Sequence, residues 1–481
     1  MWLHKVKHPL QEHAYALFPL ITIATVVIIS CRIAALSRSH MRHRPLPSPW
    51  STIVSFGDAF SDSGNGARIT GGKYPSEPWF WHHRFTNGPN WVDNLILDLG
   101  GLGKIKMRNF AHGGATTDNA LMPGNLLGHT IPGIHQQVRG FMLKSRQTGY
   151  PKTESTLYTI WTGASDSLAL GGVGSYKKQH KGSVDDIEES IYQDILQLER
   201  DSHSKVKYVL VLTPPPVQDM PMVRHEGQGV RHAVQHAAES LNNNLPLSLY
   251  RKFKSMGHTT LTDSKSMSPV HPPPHTLPGH RKMAAAPITH YLTVDLPQNY
   301  DHMLPHEHNG TKKPVPMHPR PLEMHPHQPL FRHTEPSPIE DPRHRLPKVA
   351  KRSITGAKSN AVHPASGKAS SHKLHVMVYD AYNFVKHAES NPRCFGLDPL
   401  AMGKPCKDPK HCHDRVWMDD SNLSSPIHYW MARDINMRLH MWHMHTTGHS
   451  PETSLKNSTR VSELGLEMLG YACPMRPAPV L

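Results

Sequence analysis

Four short stretches concentrate the side chains able to do nucleophilic or acid–base chemistry. The first reads Phe56-Gly57-Asp58-Ala59-Phe60-Ser61-Asp62-Ser63-Gly64-Asn65 and the second Asn109-Phe110-Ala111-His112-Gly113-Gly114-Ala115-Thr116-Thr117. The third is Gly163-Ala164-Ser165-Asp166 and the fourth Asp419-Asp420-Ser421-Asn422-Leu423-Ser424. A hydroxyl, an imidazole and a carboxylate brought together make a nucleophile, the base that activates it and the group that orients the base, which is the equipment of acyl transfer. The hydroxyls on offer are Ser61 and Ser63, and the imidazoles nearest the fourth stretch are His411, His413 and His428.

The first three stretches each close an apolar run, and that placement says how they are held. Thr52 to Phe56, Ile105 to Phe110 and Thr156 to Trp161 read as strands, joined by Tyr208 to Leu212 and Leu374 to Tyr379. Between them, Val184, Ile187, Ile191, Ile195 and Leu198 recur at helical spacing, with Ser183 placed to cap the first turn. Val234 to Leu245 and Pro426 to Leu439 also read as helices. Strands alternating with helices predict an α/β fold with a parallel sheet covered on both faces. In such sheets, ligands bind beyond the carboxyl ends of the strands, where these stretches fall.

Composition divides the chain further. Of its 481 residues 44 are Pro and 39 are His, and the excess gathers between about Ser264 and Ser371. Such a segment cannot bury enough apolar surface to order itself and is expected to be a disordered, low-complexity insert. Its histidines show no repeated ligand spacing, so no metal site is assigned, and no motif asks for a cofactor. The resulting organisation is an N-terminal apolar segment and linker over 1–50, a first domain part over 51–263, the insert over 264–371, a second domain part over 372–445 and a tail over 446–481. The formal net charge of +15 is assigned to the basic insert rather than to nucleic-acid binding. Neither zinc-finger spacing, nor an RNA-binding signature, nor a basic helix with interleaved aromatics accompanies it.

Residues Ala14 to Cys31 form an uncharged apolar run, at the short end of the ~20 residues needed to cross a bilayer. Arg32 follows at once and leaves a poor cleavage site, so the run reads as a retained signal anchor, with secretion after cleavage as the alternative. Cys394, Cys406, Cys412 and Cys473 are an even number in the last quarter, which fits an oxidising compartment. Cys406 and Cys412, across a short hydrophilic loop, are the expected pair. Sequons at Asn309, Asn422 and Asn457 are compatible with the same address.

The first stretch closely resembles the opening block of the SGNH, or GDSL, esterase and lipase family, F-G-D-S-x-S-D-x-G-N. The likeness continues in Arg84-Phe85-Thr86-Asn87-Gly88-Pro89-Asn90-Trp91-Val92, which is similar to a segment of fungal and plant members, and a secreted, carbohydrate-esterase-like fungal branch is the expected one. The second stretch resembles the family's N-x-A-x-G-G-A-T-T block, the third its G-x-N-D block and the fourth its D-x-x-H block. The resemblance covers roughly Ser51 to Gly257 and Leu374 to Arg438. It implies a flavodoxin-like three-layer sandwich and ester hydrolysis by a Ser-His-Asp mechanism. By the same resemblance Gly114 lends a backbone N–H to an oxyanion hole and Ser165 stands where an Asn amide would be a second donor. Asp419 keeps the position of the orienting carboxylate.

The departures fall on the reacting groups. Ala59 occupies the nucleophile's position and has no atom able to attack a carbonyl. Asn422 occupies the base's position, and an amide does not accept and return a proton near neutral pH. The expectation is therefore a non-catalytic relative that keeps a cleft for a carbohydrate or lipid ester, with Trp161 and Trp417 near its walls or in the core. Two other readings stand beside it: an active hydrolase using Ser61 or Ser63 with a displaced His, and a membrane-tethered interaction protein acting through the insert.

Overall fold

The computed structural model describes residues 48–148, 156–174, 182–201, 206–263, 288–296, 372–401, 406 and 412–447. Its strands are β1 (Thr52–Gly57), β2 (Lys106–Asn109), β3 (Gly124–Leu126), β4 (His129–Ile131), β5 (Thr156–Trp161), β6 (Val206–Leu212), β7 (His258–Asp263), β8 (His290–Leu296) and β9 (His372–Tyr379). The helices are α1 (Asn65–Ile69), α2 (Trp91–Asp98), α3 (Ile134–Thr148), α4 (Ala164–Leu170), α5 (Val184–Asp201), α6 (Pro221–Arg224), α7 (Gln228–Lys254), α8 (Ala381–Ser390) and α9 (Ser425–Thr446).

Seven strands form one sheet in the order β2-β1-β5-β6-β9-β8-β7, and the first five run parallel. This is a doubly wound arrangement, in which the chain reverses direction beside β1, as the resemblance implies. Every residue of β1 and β5 is buried, as expected of strands covered on both faces. On one face Ile53, Leu157, Trp161, Leu210, Leu212 and Tyr379 join a core with α2 and α9. Helix α9 contributes Ile427, Met431, Ile435, Leu439 and Trp442, spaced three or four apart along one stripe. On the other face Phe141 of α3 packs its ring 5.6 Å from Phe56 and 6.0 Å from Tyr158. Burying each such side chain contributes roughly 1.5–3 kcal/mol.

The register brings the strand ends level. Gly57 lies beside Trp161, Trp161 beside Leu212 and Leu212 beside Tyr379, so the loops that follow leave the sheet at one edge. Ser183 caps α5 as expected, exchanging hydrogen bonds with Asp186.

One strand corrects the sequence reading. The interval 264–371, read wholly as low-complexity, contains β8, which pairs antiparallel with both β9 and β7. Alternation was present there, since Tyr291, Leu292, Val294 and Leu296 are buried. Flanking Pro- and His-rich sequence masked so short a run. The sheet therefore carries an antiparallel edge.

The remainder of that interval, the apolar run at 14–31, the sequons at Asn309 and Asn457 and the tail beyond 447 lie outside the described residues. Among the described residues no helix is long and apolar enough to cross a membrane. Cys406 and Cys412 form the expected disulfide, which is compatible with secretion.

Candidate functional site

The turn after β1 is built around one carboxylate. Asp62 Oδ1 accepts the backbone N–H groups of Gly64 and Asn65, each at 2.7 Å. Its Oδ2 accepts those of Gly66 and Gly113, each at 2.8 Å. The last bond joins the first stretch to the second. Asn65 reinforces the joint by donating to the carbonyls of Asn109 and Ala111. Asn109 donates in return to the Ser61 carbonyl and the Ser63 hydroxyl. At the strand end, Gly57 exchanges two hydrogen bonds with the Gln137 amide, which fixes where the turn begins.

Ala59 stands at the head of this turn, packed against Phe85, Ala115, Leu126 and Ile131. Gly114 has φ +79°, and a Cβ there would lie 2.1 Å from the carbonyl oxygen of Asn125 in β3. The close neighbour that demands glycine is thus the protein's own hairpin as well as any approaching ligand. Ser165, 9% exposed, lies in the first turn of α4 behind Gly163. The third stretch is tied to the second by Asp166, which accepts the backbone N–H and the hydroxyl of Thr117. The first three stretches therefore meet in one place.

Two carboxyls by this turn, Asp58 next to Ala59 in the chain and Asp166, are both buried. Burial pushes Asp58 up to about 8, with the nearby Asp166 adding to the rise. Burial likewise pushes Asp166 to about 6, against the pull of the Thr117 bonds. A carboxyl whose folded pKa exceeds its unfolded one stabilises the fold fully below the unfolded value, and that stability is lost as pH rises through the folded one. Stability should therefore fall between pH 3.8 and about 8. Asp58 alone contributes a slope of at most about 1.4 kcal/mol per pH unit. Asp58→Asn keeps an acceptor for the Phe60 N–H and should flatten this slope. Chemical melts across the window test it, and an undiminished slope in the variant refutes it.

The fourth stretch forms a tight turn closed by the Met418 N–H on the Asn422 carbonyl at 2.8 Å. Asp419 accepts the backbone N–H groups of Ser421 and Asn422 on Oδ1, at 2.8 and 2.6 Å. On Oδ2 it accepts the Asn422 side-chain amide at 2.8 Å. The amide is held by the carboxylate as the N–H of an imidazole would be. Burial raises the Asp419 carboxyl, and these bonds hold the rise in check. Tyr74 lies near Asn422 and Asp419: burial and the Asp419 carboxylate raise its hydroxyl pKa, and the Asn422 side chain opposes the rise. Asn422 is only 2% exposed, and its Nδ2, where a glycan would attach, faces Asp419. The folded site has no room for sugar at this sequon.

The alternative nucleophiles and bases are engaged elsewhere or buried. Ser61 is fully buried and its hydroxyl accepts from the Trp91 indole at 3.1 Å. His428 is fully buried beneath the rings of Phe60 and Trp161, with neither ring nitrogen hydrogen-bonded, and burial lowers its pKa to about 3. Half-buried His413 is also lowered by burial, and His411 lies outside the described residues. Trp161 and Trp417 are core residues, donating to the Thr213 carbonyl and to Glu389 respectively. Among the described residues no group of three or more His, Cys, Asp or Glu is arranged to hold a metal.

Gln137 and Tyr74 were not singled out by sequence. Gln137 is one more polar residue on an amphipathic helix, and nothing local in the sequence aims Tyr74 at a turn so far along the chain.

No family model matches the chain. It is 28% identical over 213 residues to a phosphatidylcholine-sterol acyltransferase of Aeromonas hydrophila, covering 44% of this chain and 58% of that protein. It is 25% identical over 123 residues to a thermolabile hemolysin of Vibrio parahaemolyticus, covering 25% of this chain and 27% of that one. The chain thus spans less than two thirds of these curated relatives. Similar solved structures include a lipolytic G-D-S-L family member from Veillonella parvula, at 12% identity and TM-score 0.23, covering 40% of this chain and 69% of that one. A phospholipase A1 from Streptomyces albidoflavus is 18% identical with TM-score 0.24, covering 41% of this chain and 75% of that one. The α/β architecture with a mostly parallel sheet is the one that the resemblance to SGNH/GDSL hydrolases implies, and over 213 residues the chain is similar to the Aeromonas acyltransferase.

Proposed function

We propose that this protein is a disarmed member of the fungal, carbohydrate-esterase-like branch of the SGNH family, which binds acyl esters without turning them over. The carrying observation is that Asp419 holds the Asn422 amide at 2.8 Å in a turn otherwise formed as a base-bearing turn would be. The Ala59 turn is likewise complete in every bond that shapes it. Loss of the reacting atoms with retention of their supports fits selection for a shaped cleft. Gly114 and Ser165 would face the ester carbonyl, and the apolar wall of Tyr74, Phe80, Phe85 and Leu126 would take an acyl chain. The name of the Aeromonas relative favours a lipid ester over a carbohydrate one. Anchoring through residues 14–31 in the secretory pathway belongs to the same proposal.

Buried Ser61 and unbonded, buried His428 argue against a displaced catalytic pair. The purified chain is expected to take up no fluorophosphonate probe and to leave p-nitrophenyl butyrate unhydrolysed. Stoichiometric labelling of any serine, with turnover to match, would overturn the reading.

A further inference from the structure

Two exposed apolar side chains border, in the chain, the apolar residues on which Ala59 packs. Trp79 is 36% and Leu127 is 64% exposed. Each adjoins a buried residue of the wall around Ala59. Trp79 precedes Phe80, whose ring meets Tyr74 at 5.1 Å and Phe85 at 6.1 Å. Leu127 follows Leu126, which shares a core cluster with Phe85 and Ala59. A Cβ on Gly66 would lie 3.0 Å from the Phe85 ring and 3.1 Å from Leu126, so the two supports converge on one point.

Leu127 sits at the tip of the β3–β4 hairpin with φ 51°. Asn or Gly takes that conformation with little cost, whereas Leu is strained there and presents its side chain to water. Strain of this kind persists only where the surrounding structure holds it, and it clusters at functional sites. Two cations, Arg68 and Lys73, are exposed on the segment that carries Trp79, and His82, His83 and His129 are exposed on the same two segments. Glu77, 3.8 Å from His82, is the one acidic residue in the sequence of 66–83 and 124–131.

We infer that this rim docks on an anionic phospholipid surface, with Trp79 and Leu127 entering the headgroup boundary. Exposed tryptophan and leucine with lysine and arginine beside them are a combination that partitions into such an interface. Continuity between the tips and the apolar wall favours a bilayer over a soluble protein partner, because an acyl chain could pass from one to the other without meeting water. The inference concerns the rim and holds whether or not the site turns over ester.

The test uses the full chain and vesicles of phosphatidylcholine and phosphatidylserine carrying brominated acyl chains. Wild-type tryptophan fluorescence should be quenched, and Trp79→Phe should lose a distinct part of that quenching. Leu127→Ser should weaken vesicle binding about tenfold. Leu143→Ser, an exposed position on α3, should leave binding unchanged. Residues 14–31 are common to all variants, so the differences isolate the rim. Equal quenching of wild type and Trp79→Phe, or equal binding of Leu127→Ser and wild type, would overturn the inference. Equal binding to vesicles of phosphatidylcholine alone would overturn its electrostatic half.

Discussion

Ala59→Ser combined with Asn422→His is expected to turn an inert chain into a phosphonate-sensitive esterase. Asp419 is already oriented by two backbone N–H groups, and an imidazole would donate to the Oδ2 that now accepts the Asn422 amide. The turn that would carry the introduced serine is held by the four bonds to Asp62. Members of such a constellation act as a unit, so neither single substitution should gain measurable turnover. The double variant should remain about a hundredfold or more below a full enzyme, because Ser165 stands in for an oxyanion donor. Adding Ser165→Asn should recover about that factor in kcat. Hydrolysis of p-nitrophenyl butyrate and mass of the phosphonate adduct measure the gain. If both double and triple variants fold, by near-UV circular dichroism, yet show neither signal, the assignment of Ala59 and Asn422 fails.

The largest expected loss of stability follows Asp62→Ala. The substitution strands the N–H groups of Gly64, Asn65, Gly66 and Gly113 in a turn where Asn65 and Gly66 are buried. An unsatisfied buried donor costs about 1–3 kcal/mol, and entry of water at half-buried Gly64 relieves part of the sum. A net loss of roughly 4 kcal/mol is expected, a large share of the ~5–15 kcal/mol that holds a domain folded. Asp62→Asn should cost about half as much, since one oxygen still accepts while its NH2 opposes two donors. Urea melts of the three proteins decide it. A change of under about 1 kcal/mol for Asp62→Ala would show that the turn holds itself together by other means.

The fold was legible because the central parallel strands β1 and β5 are buried on both faces, which forces unbroken apolar runs such as Thr52 to Phe56. β8 escaped because its signal is only seven residues long and lies amid Pro- and His-rich sequence. The site was legible as a set of stretches, since a turn held by Asp62 and Asn65 demands those residue types at fixed spacing. The reason for Gly114 was half legible: its φ follows from the loop, but the Asn125 carbonyl that crowds it comes from a hairpin that no local pattern places there.

Sequence alone determined the absence of a nucleophilic oxygen at position 59 and of a proton-carrying group at position 422, because these are matters of which atoms the side chains possess. Tertiary structure decided what no single segment contains. It brought Tyr74 near Asn422 and Asp419, sealed His428 under Phe60 and Trp161, and set the buried Asp166 near Asp58. Those outcomes depend on long-range packing and on the free energy of removing polar groups from water. Residue identities carry neither until the chain has folded.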